Sequence, residues 1–170
     1  MNPVQHANAQ LLDKFYNAFA RLDTSIMAAC YAPDVQFDDE AFSLRGHDEV
    51  TGMWRMLCET TKAKALSDWK LVFSGIEANA KTGKAHWEAG YRFSATNRLV
   101  HNAFDGVFEF NDEGKIVRHR DSFNFWYWSY QALGAPGALL GWTPFLRRKV
   151  RSTAAQNLQR FLAVEKSKGT

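Results

Sequence analysis

His119 and Asp121 are the pair in this chain whose types and spacing most invite chemistry. They stand two apart in Leu99 to Trp128, which reads as two long strands joined by a tight turn at Asn111-Asp112-Glu113-Gly114. Gly114 supplies the positive φ such a turn wants, with Asn and Asp ahead of it. The turn pairs Asp105 with Arg120, and alternation then divides the hairpin into two faces. One carries Asn102, Phe104, Gly106, Phe108, Phe110, Val117, His119, Asp121 and Phe123. The other carries His101, Ala103, Asp105, Val107, Glu109, Ile116, Arg118, Arg120, Ser122 and Asn124. The first is apolar apart from Asn102, His119 and Asp121, and polar groups on an inward face are the informative ones. A third candidate is Asp39. Asp34 to Asp39 alternates as a short strand, and Asp39 falls on the apolar side with Val35 and Phe37.

A carboxyl group in an apolar pocket has its ionised form disfavoured, so its pKa climbs toward neutrality and it becomes a competent general acid or base. Two carboxyls in different surroundings can divide those roles. Asp121 and Asp39 are therefore the candidate catalytic pair, with His119 beside Asp121 to shuttle a proton or orient the carboxylate. The chemistry expected is proton transfer on a small, hydrophobic, carbonyl-bearing compound. Tyr16, Trp54, Trp87, Tyr91, Asn102, Phe104 and Phe123 are the expected substrate contacts. Each residue also has a structural reading. Asp121 and His119 fit a satisfied core pair, and Asp39 fits a turn or cap at a strand's end. Tyr16, Trp54 and Trp87 sit at core spacing.

The elements that must position these groups follow in order. Leu11, Leu12, Phe15, Tyr16, Phe19 and Leu22 recur with a helical period over Ala9–Leu22. Asp23 or Thr24 caps a short second helix bearing Ile26, Met27, Cys30 and Tyr31, which Pro33 ends. A third helix runs from Gly46 to Lys64 with Val50, Met53, Trp54, Leu57 and Cys58 inward. Strands follow: Trp69, Leu71, Phe73 and Gly75 share one face, Lys81-Thr82-Gly83 turns, and Trp87, Ala89, Tyr91 and Phe93 alternate with polar residues. Ala95-Thr96-Asn97-Arg98 leads into the hairpin. Ala132 to Trp142 reads as an apolar loop, and Thr143-Pro144 opens a last helix. Its stripe is Leu146, Val150, Ala154, Leu158, Phe161 and Leu162. Its basic run, Arg147 to Arg151 with Arg160, reads as a solvated face, with a membrane-surface contact as the alternative. The KSKGT tail reads as frayed. The fold class is α+β, an apolar sheet face packed on three helices with a fourth added.

At 170 residues the chain suits one domain, 1–170, with a core over 8–128 and a C-terminal loop and helix over 129–165. Hydrophobic residues at 46% and charged ones at 23% exclude a disordered chain, and a net charge of +3 without a basic motif excludes a nucleic-acid partner. Cys30 and Cys58 suit a reduced, cytoplasmic protein. His6, His47 and His86 share no metal spacing, so neither metal nor cofactor is expected. No apolar run approaches the ~20 residues that span a bilayer, and no signal pattern opens the chain, so no membrane is expected. Ala103, Val107 and Ile116 among the charges of the outer sheet face suit a homodimer.

Three helices, a short strand and a long meander is the order of the nuclear transport factor 2-like superfamily, which this chain resembles over about residues 8 to 128. Tyr31-Ala32-Pro33-Asp34-Val35 is similar to that superfamily's helix-to-strand passage, and Phe104 to Asp121 to its final hairpin. Gln131-Ala132-Leu133-Gly134 resembles the segment after the last strand in SnoaL-like polyketide cyclases. The resemblance implies a cone-shaped, cystatin-like fold, a strongly curved and mainly antiparallel sheet around a pocket. It also implies roles. By likeness to ketosteroid isomerases, Asp39 stands at the base position, while their oxyanion donors match Phe15 and Gly106, with Tyr16 and Asp105 one residue out of step. By likeness to limonene-epoxide hydrolases, Arg120-Asp121-Ser122-Phe123 matches the final-strand motif, while Ala89 and Tyr91 stand where that family has Arg and Asp. By likeness to SnoaL-like cyclases, Asp121 is the acid/base. The superfamily mixes enzymes with non-catalytic binders, so a ligand-binding or dimeric scaffold protein is the alternative.

Overall fold

The computed structural model describes residues 3–64 and 66–169, with side chains from residue 7 onward. The first helix, α1 (Pro3–Ala20), is followed by α2 (Thr24–Ala29), whose cap is Asp23 accepting from the Ile26 amide. The chain then enters β1 (Tyr31–Asp38), two residues before the proline expected to end the helix. Pro33, lacking an N–H, falls inside the irregular stretch between Tyr31 and Gln36 where the pairing shifts register. A short strand not foreseen, β2 (Ser43–Arg45), turns back on β1, and α3 (His47–Lys64) follows. The meander is β3 (Lys70–Ala78), β4 (Thr82–Phe93), β5 (Arg98–Phe110) and β6 (Ile116–Ser122).

The six strands form one sheet in the order β2-β1-β6-β5-β4-β3. All neighbours are antiparallel except β1 and β6, which run parallel and bring the N-terminal half against the last strand. Register shifts lie in β1, in β3 around Gly75, and in β5 at Glu109–Phe110. Such bulges bend a sheet, and here they curve it around the helices. Its concave face buries Phe37, Ala85, Trp87, Ala89, Phe104 and Phe108 against Leu12, Phe15, Tyr16 and Phe19 of α1 and Met53 and Trp54 of α3.

The hairpin departs from its expected register. Asp105 lies opposite Ser122 rather than Arg120, which instead faces Val107. From Arg118 to Ser122 the shift is of two residues, so His119 and Asp121 stay inward. The bulge near the turn has a local cost to the forecast: Ile116 is fully buried and Val117 only partly, the reverse of the expected order.

Beyond β6 the sequence reading fails more widely. The strand ends at Ser122. Asn124 accepts from the Tyr127 amide and caps α4 (Phe125–Leu133), where the pattern predicts a strand to Trp128. The expected loop holds α5 (Ala135–Leu140). α4 lies across the open end of the curved sheet, with Phe125, Trp128 and Ala132 packed on Val100 and Leu146 as a second core. The last helix, α6 (Pro144–Lys168), starts as expected at Thr143 and runs on through most of the KSKGT tail, whose Thr170 lies outside the described residues.

Candidate active site

A cavity of about 700 Å3 lies between the concave sheet face, α3, α4 and α6. Its wall is mainly aromatic and aliphatic; among its polar side chains Asn102 and Asp121 are buried and Asp39 is half-buried. That size and lining suit a small organic ligand.

Asp121 comes inward through alternation along β6, and the residue is only 3% exposed. Its Oδ1 accepts from His119 Nε2 at 3.0 Å and from Trp87 Nε1 at 3.3 Å. Among the described residues Oδ2 has no hydrogen-bond partner, on a side chain that lines the cavity. Gly106 is the cross-strand partner of Asp121, and its lack of a side chain makes the room. A Cβ there would stand 3.0 Å from both Asp121 Oδ1 and the Tyr16 hydroxyl.

Behind Asp121 runs a buried relay. Trp54 Nε1 donates to the Tyr31 hydroxyl at 2.9 Å, which directs that hydroxyl's own proton to His119 Nδ1, 2.8 Å away. Nε2 then carries the imidazole proton toward Asp121. His119 is fully buried, enclosed by the rings of Phe15, Phe37, Trp54 and Phe108. It does not reach the cavity. Its geometry suits the orienting part expected of it, since it is hydrogen-bonded to both Asp121 and Tyr31 and has no face on the cavity. Burial pushes the Tyr31 hydroxyl well above its ordinary pKa, so it stays protonated.

Asp39 sits just past β1, where it closes a turn and also faces the cavity. Oδ1 accepts from the Ala41 and Phe42 amides at 2.7 and 2.6 Å, closing the β1–β2 turn. Yet the residue also lines the cavity. Burial lifts its pKa to about 7 against the pull of those two amides; the Asp121 charge adds to the rise, and Arg151 opposes it.

Of the expected substrate contacts, Trp54, Trp87, Tyr91, Asn102, Phe104 and Phe123 line the cavity. Trp87 and Phe104, cross-strand partners, stack with centroids 3.7 Å apart. Tyr91 is tied to α4 by Trp128 Nε1 at 2.9 Å. Tyr16 does not line the cavity. It lies behind the wall with its hydroxyl buried, unpartnered among the described residues, and beside Asp121 Oδ1 across Gly106. Asn102 Nδ2 is the other buried side-chain atom without a partner among the described residues, and Asn102 does line the cavity. Asp105 points outward and pairs with His86 at 2.9 Å.

Sequence reasoning misses three contributors. The helical reading takes in Tyr31, though its odd number shares the parity of Val35 and Phe37. The cavity's outer wall comes from α6, through Leu146, Val150 and Ala154, residues that read only as a core stripe. The basic run of α6 is not merely solvated: Arg147 pairs with Glu40 and lies over the Phe125 ring at 4.7 Å, and Arg151 donates to the Asp39 and Glu40 carbonyls. These contacts strap α6 onto the turn that carries Asp39. Among the described residues no group of three or more His, Cys, Asp or Glu is arranged to hold a metal ion. No helix there is long and apolar enough to cross a membrane.

No curated protein sequence matches the chain. Several solved structures share its fold. A candidate polyketide cyclase from Xanthomonas campestris pv. campestris superimposes with a TM-score of 0.60 at 19% identity, over 76% of this chain and 98% of that one. A Mycobacterium tuberculosis LEH-like epoxide hydrolase gives 0.59 at 19% identity, over 81% and 98%. An uncharacterised Silicibacter pomeroyi protein with a cystatin-like fold gives 0.58 at 14% identity, over 92% of both chains, a span that must include part of the C-terminal extension. At such identities the likeness is one of fold. The sequence pattern of the SnoaL-like domain covers residues 12–119, from the first core leucine of α1 to the histidine behind the candidate acid, and the chain belongs to that family within the nuclear transport factor 2-like superfamily.

Proposed function

We propose that the cavity takes up a small hydrophobic carbonyl compound and that Asp121 exchanges a proton with it, in an isomerase, cyclase or dehydratase type of reaction. The observation that carries this reading is the position of Asp121: one oxygen held by two N–H donors, the other without a partner among the described residues, on a side chain lining a mainly apolar cavity. A base so fixed removes a proton from the carbon beside a carbonyl, leaving an enolate, and returns it at the same or a conjugated position. Two groups are suited to the carbonyl oxygen. The Asn102 amide has an N–H without a partner, and Asp39, with a pKa of about 7, carries a proton much of the time at neutral pH. His119, Tyr31 and Trp54 keep the carboxylate oriented. Of the structural neighbours, the polyketide cyclase bears a name that fits this class of chemistry, whereas the epoxide hydrolase is named for a different reaction.

The test is turnover and solvent-deuterium exchange on a panel of cyclic enones and polyketide-like ketones, comparing wild type with Asp121→Asn. Asn retains the size and an acceptor oxygen, so loss of the base alone should lower kcat by roughly 10²-fold or more. If the two proteins never differ on any compound, proton transfer at Asp121 is excluded. Ligand binding without turnover would then favour a non-catalytic carrier, a reading supported by the fact that Asp39 and Asp121 each also serve as structural acceptors. We read the whole chain as one cytoplasmic domain. The outer sheet face, with Val72, Leu99 and Val107 exposed among charges, is the proposed homodimer contact, although Ile116 is no part of it.

A further inference from the structure

The exposed apolar side chains of this protein are not scattered. Of thirteen large ones exposed among the described residues, seven fall between Trp126 and Phe145. Such a concentration marks an interaction surface. α4 turns Trp126, Tyr127 and Tyr130 outward, with the Trp126 and Tyr130 rings stacked. α5 adds Leu139, 72% exposed, and Leu140; Trp142 is 73% exposed and Phe145 59%. Hydrogen bonds and close packing tie its parts together. Trp126 Nε1 is bonded to the Ala138 carbonyl and Trp142 Nε1 to that of Leu139. Gly137 packs so tightly on the Ser129 carbonyl that no side chain fits between α5 and α4.

Charge says what covers it. From Ser122 to Val164 the chain has no Asp or Glu and five Lys or Arg. Arg147 and Arg151 are engaged by the β1–β2 turn, but Arg148 and Lys149 are exposed and make no ion pair among the described residues. A symmetric contact between two copies through this face would set cation against cation. An anionic lipid surface matches both features: Trp and Tyr rings settle at the headgroup level, Leu and Phe tips enter the acyl boundary, and basic residues beside them meet the lipid charge. We infer that the α4–α5–α6 elbow docks this protein on anionic membrane surfaces. This reverses the expectation of no membrane partner while adding no spanning helix. Pro136 and Lys149 belong both to this face and to the cavity rim, so docking would bring the rim against the lipid. The docking claim does not depend on the chemistry proposed for Asp121.

The test is flotation of the full chain with vesicles of phosphatidylcholine alone or mixed equally with phosphatidylglycerol. Wild type should float with the mixed vesicles, more weakly with phosphatidylcholine, and shift its tryptophan emission to the blue. Arg148→Glu with Lys149→Glu should weaken binding to mixed vesicles by about fivefold per charge or more. Leu139→Ser with Trp142→Ser should weaken it by about tenfold or more, because the apolar tips are what enter the boundary. Both pairs are exposed, and unchanged circular dichroism verifies that the fold is retained. Three results overturn the inference: no binding to either vesicle, binding that survives loss of Leu139 and Trp142, or a dimer that this second variant converts to monomer.

Discussion

Replacing Asp39 by Asn should change how stability depends on pH, and the change can be worked from the structure. The carboxyl group has a folded pKa of about 7 against an ordinary value of 3.8, raised chiefly by burial in the cavity wall. A proton therefore binds the folded state more tightly than the unfolded one. The stability tied to that proton is fully present below pH 3.8 and is lost as pH rises through about 7. Each pH unit of separation is worth about 1.36 kcal/mol, so the loss between about pH 5 and pH 8 is at most roughly 2.6 kcal/mol. Because the side chain is only half-buried, solvent screening lowers this to about 1–2 kcal/mol. The Asp39→Asn side chain would keep the acceptor oxygen used by the Ala41 and Phe42 amides while removing the titration. Urea unfolding of both proteins at about pH 5 and pH 8 cancels every other titrating group. The variant should gain about 1–2 kcal/mol on wild type between the two conditions, or about 2–8 °C in Tm. A difference that stays constant with pH to within about 0.5 kcal/mol would mean that Asp39 is already ionised in the folded protein, and its part as a proton donor would fall with it.

Tyr31→Phe removes the hydroxyl between Trp54 and His119 while preserving the ring packing, leaving a buried N–H and a ring nitrogen unmet. Denaturant unfolding should show a loss of about 2–4 kcal/mol, and a loss below about 1 kcal/mol would mean the relay is not formed. Gly137→Ala places a Cβ against the Ser129 carbonyl, backbone on backbone, so α5 must lift from α4. About 3 kcal/mol or more should be lost, accompanied by faster amide exchange in residues 135–141, whereas a neutral substitution would refute the packing of the elbow.

Much of the positioning of the candidate site is legible in local pattern. Alternation alone puts His119 and Asp121 inward, because a strand's side chains repeat every two residues whatever the register. The same parity explains why a hairpin paired two residues away from expectation still aims Asp121, Asn102 and Phe104 at the cavity. The caps Asp23 and Thr143 and the turn at Gly114 are local hydrogen-bonding and φ requirements, so they too are readable.

What sequence could not determine depends on partners far along the chain. The run Phe123 to Tyr130 is aromatic enough for strand or helix, and only burial of Phe125 and Trp128 against Val100 and Leu146 decides for helix. The second nitrogen of His119 is met by Tyr31, 88 residues away, through the parallel pairing of β1 with β6. Arg147 and Arg151 read as a solvated face until α6 is laid across the β1–β2 turn. Local propensity acts within a few residues, whereas a cavity, a relay and a strap are built from side chains that only the closed tertiary structure brings into contact.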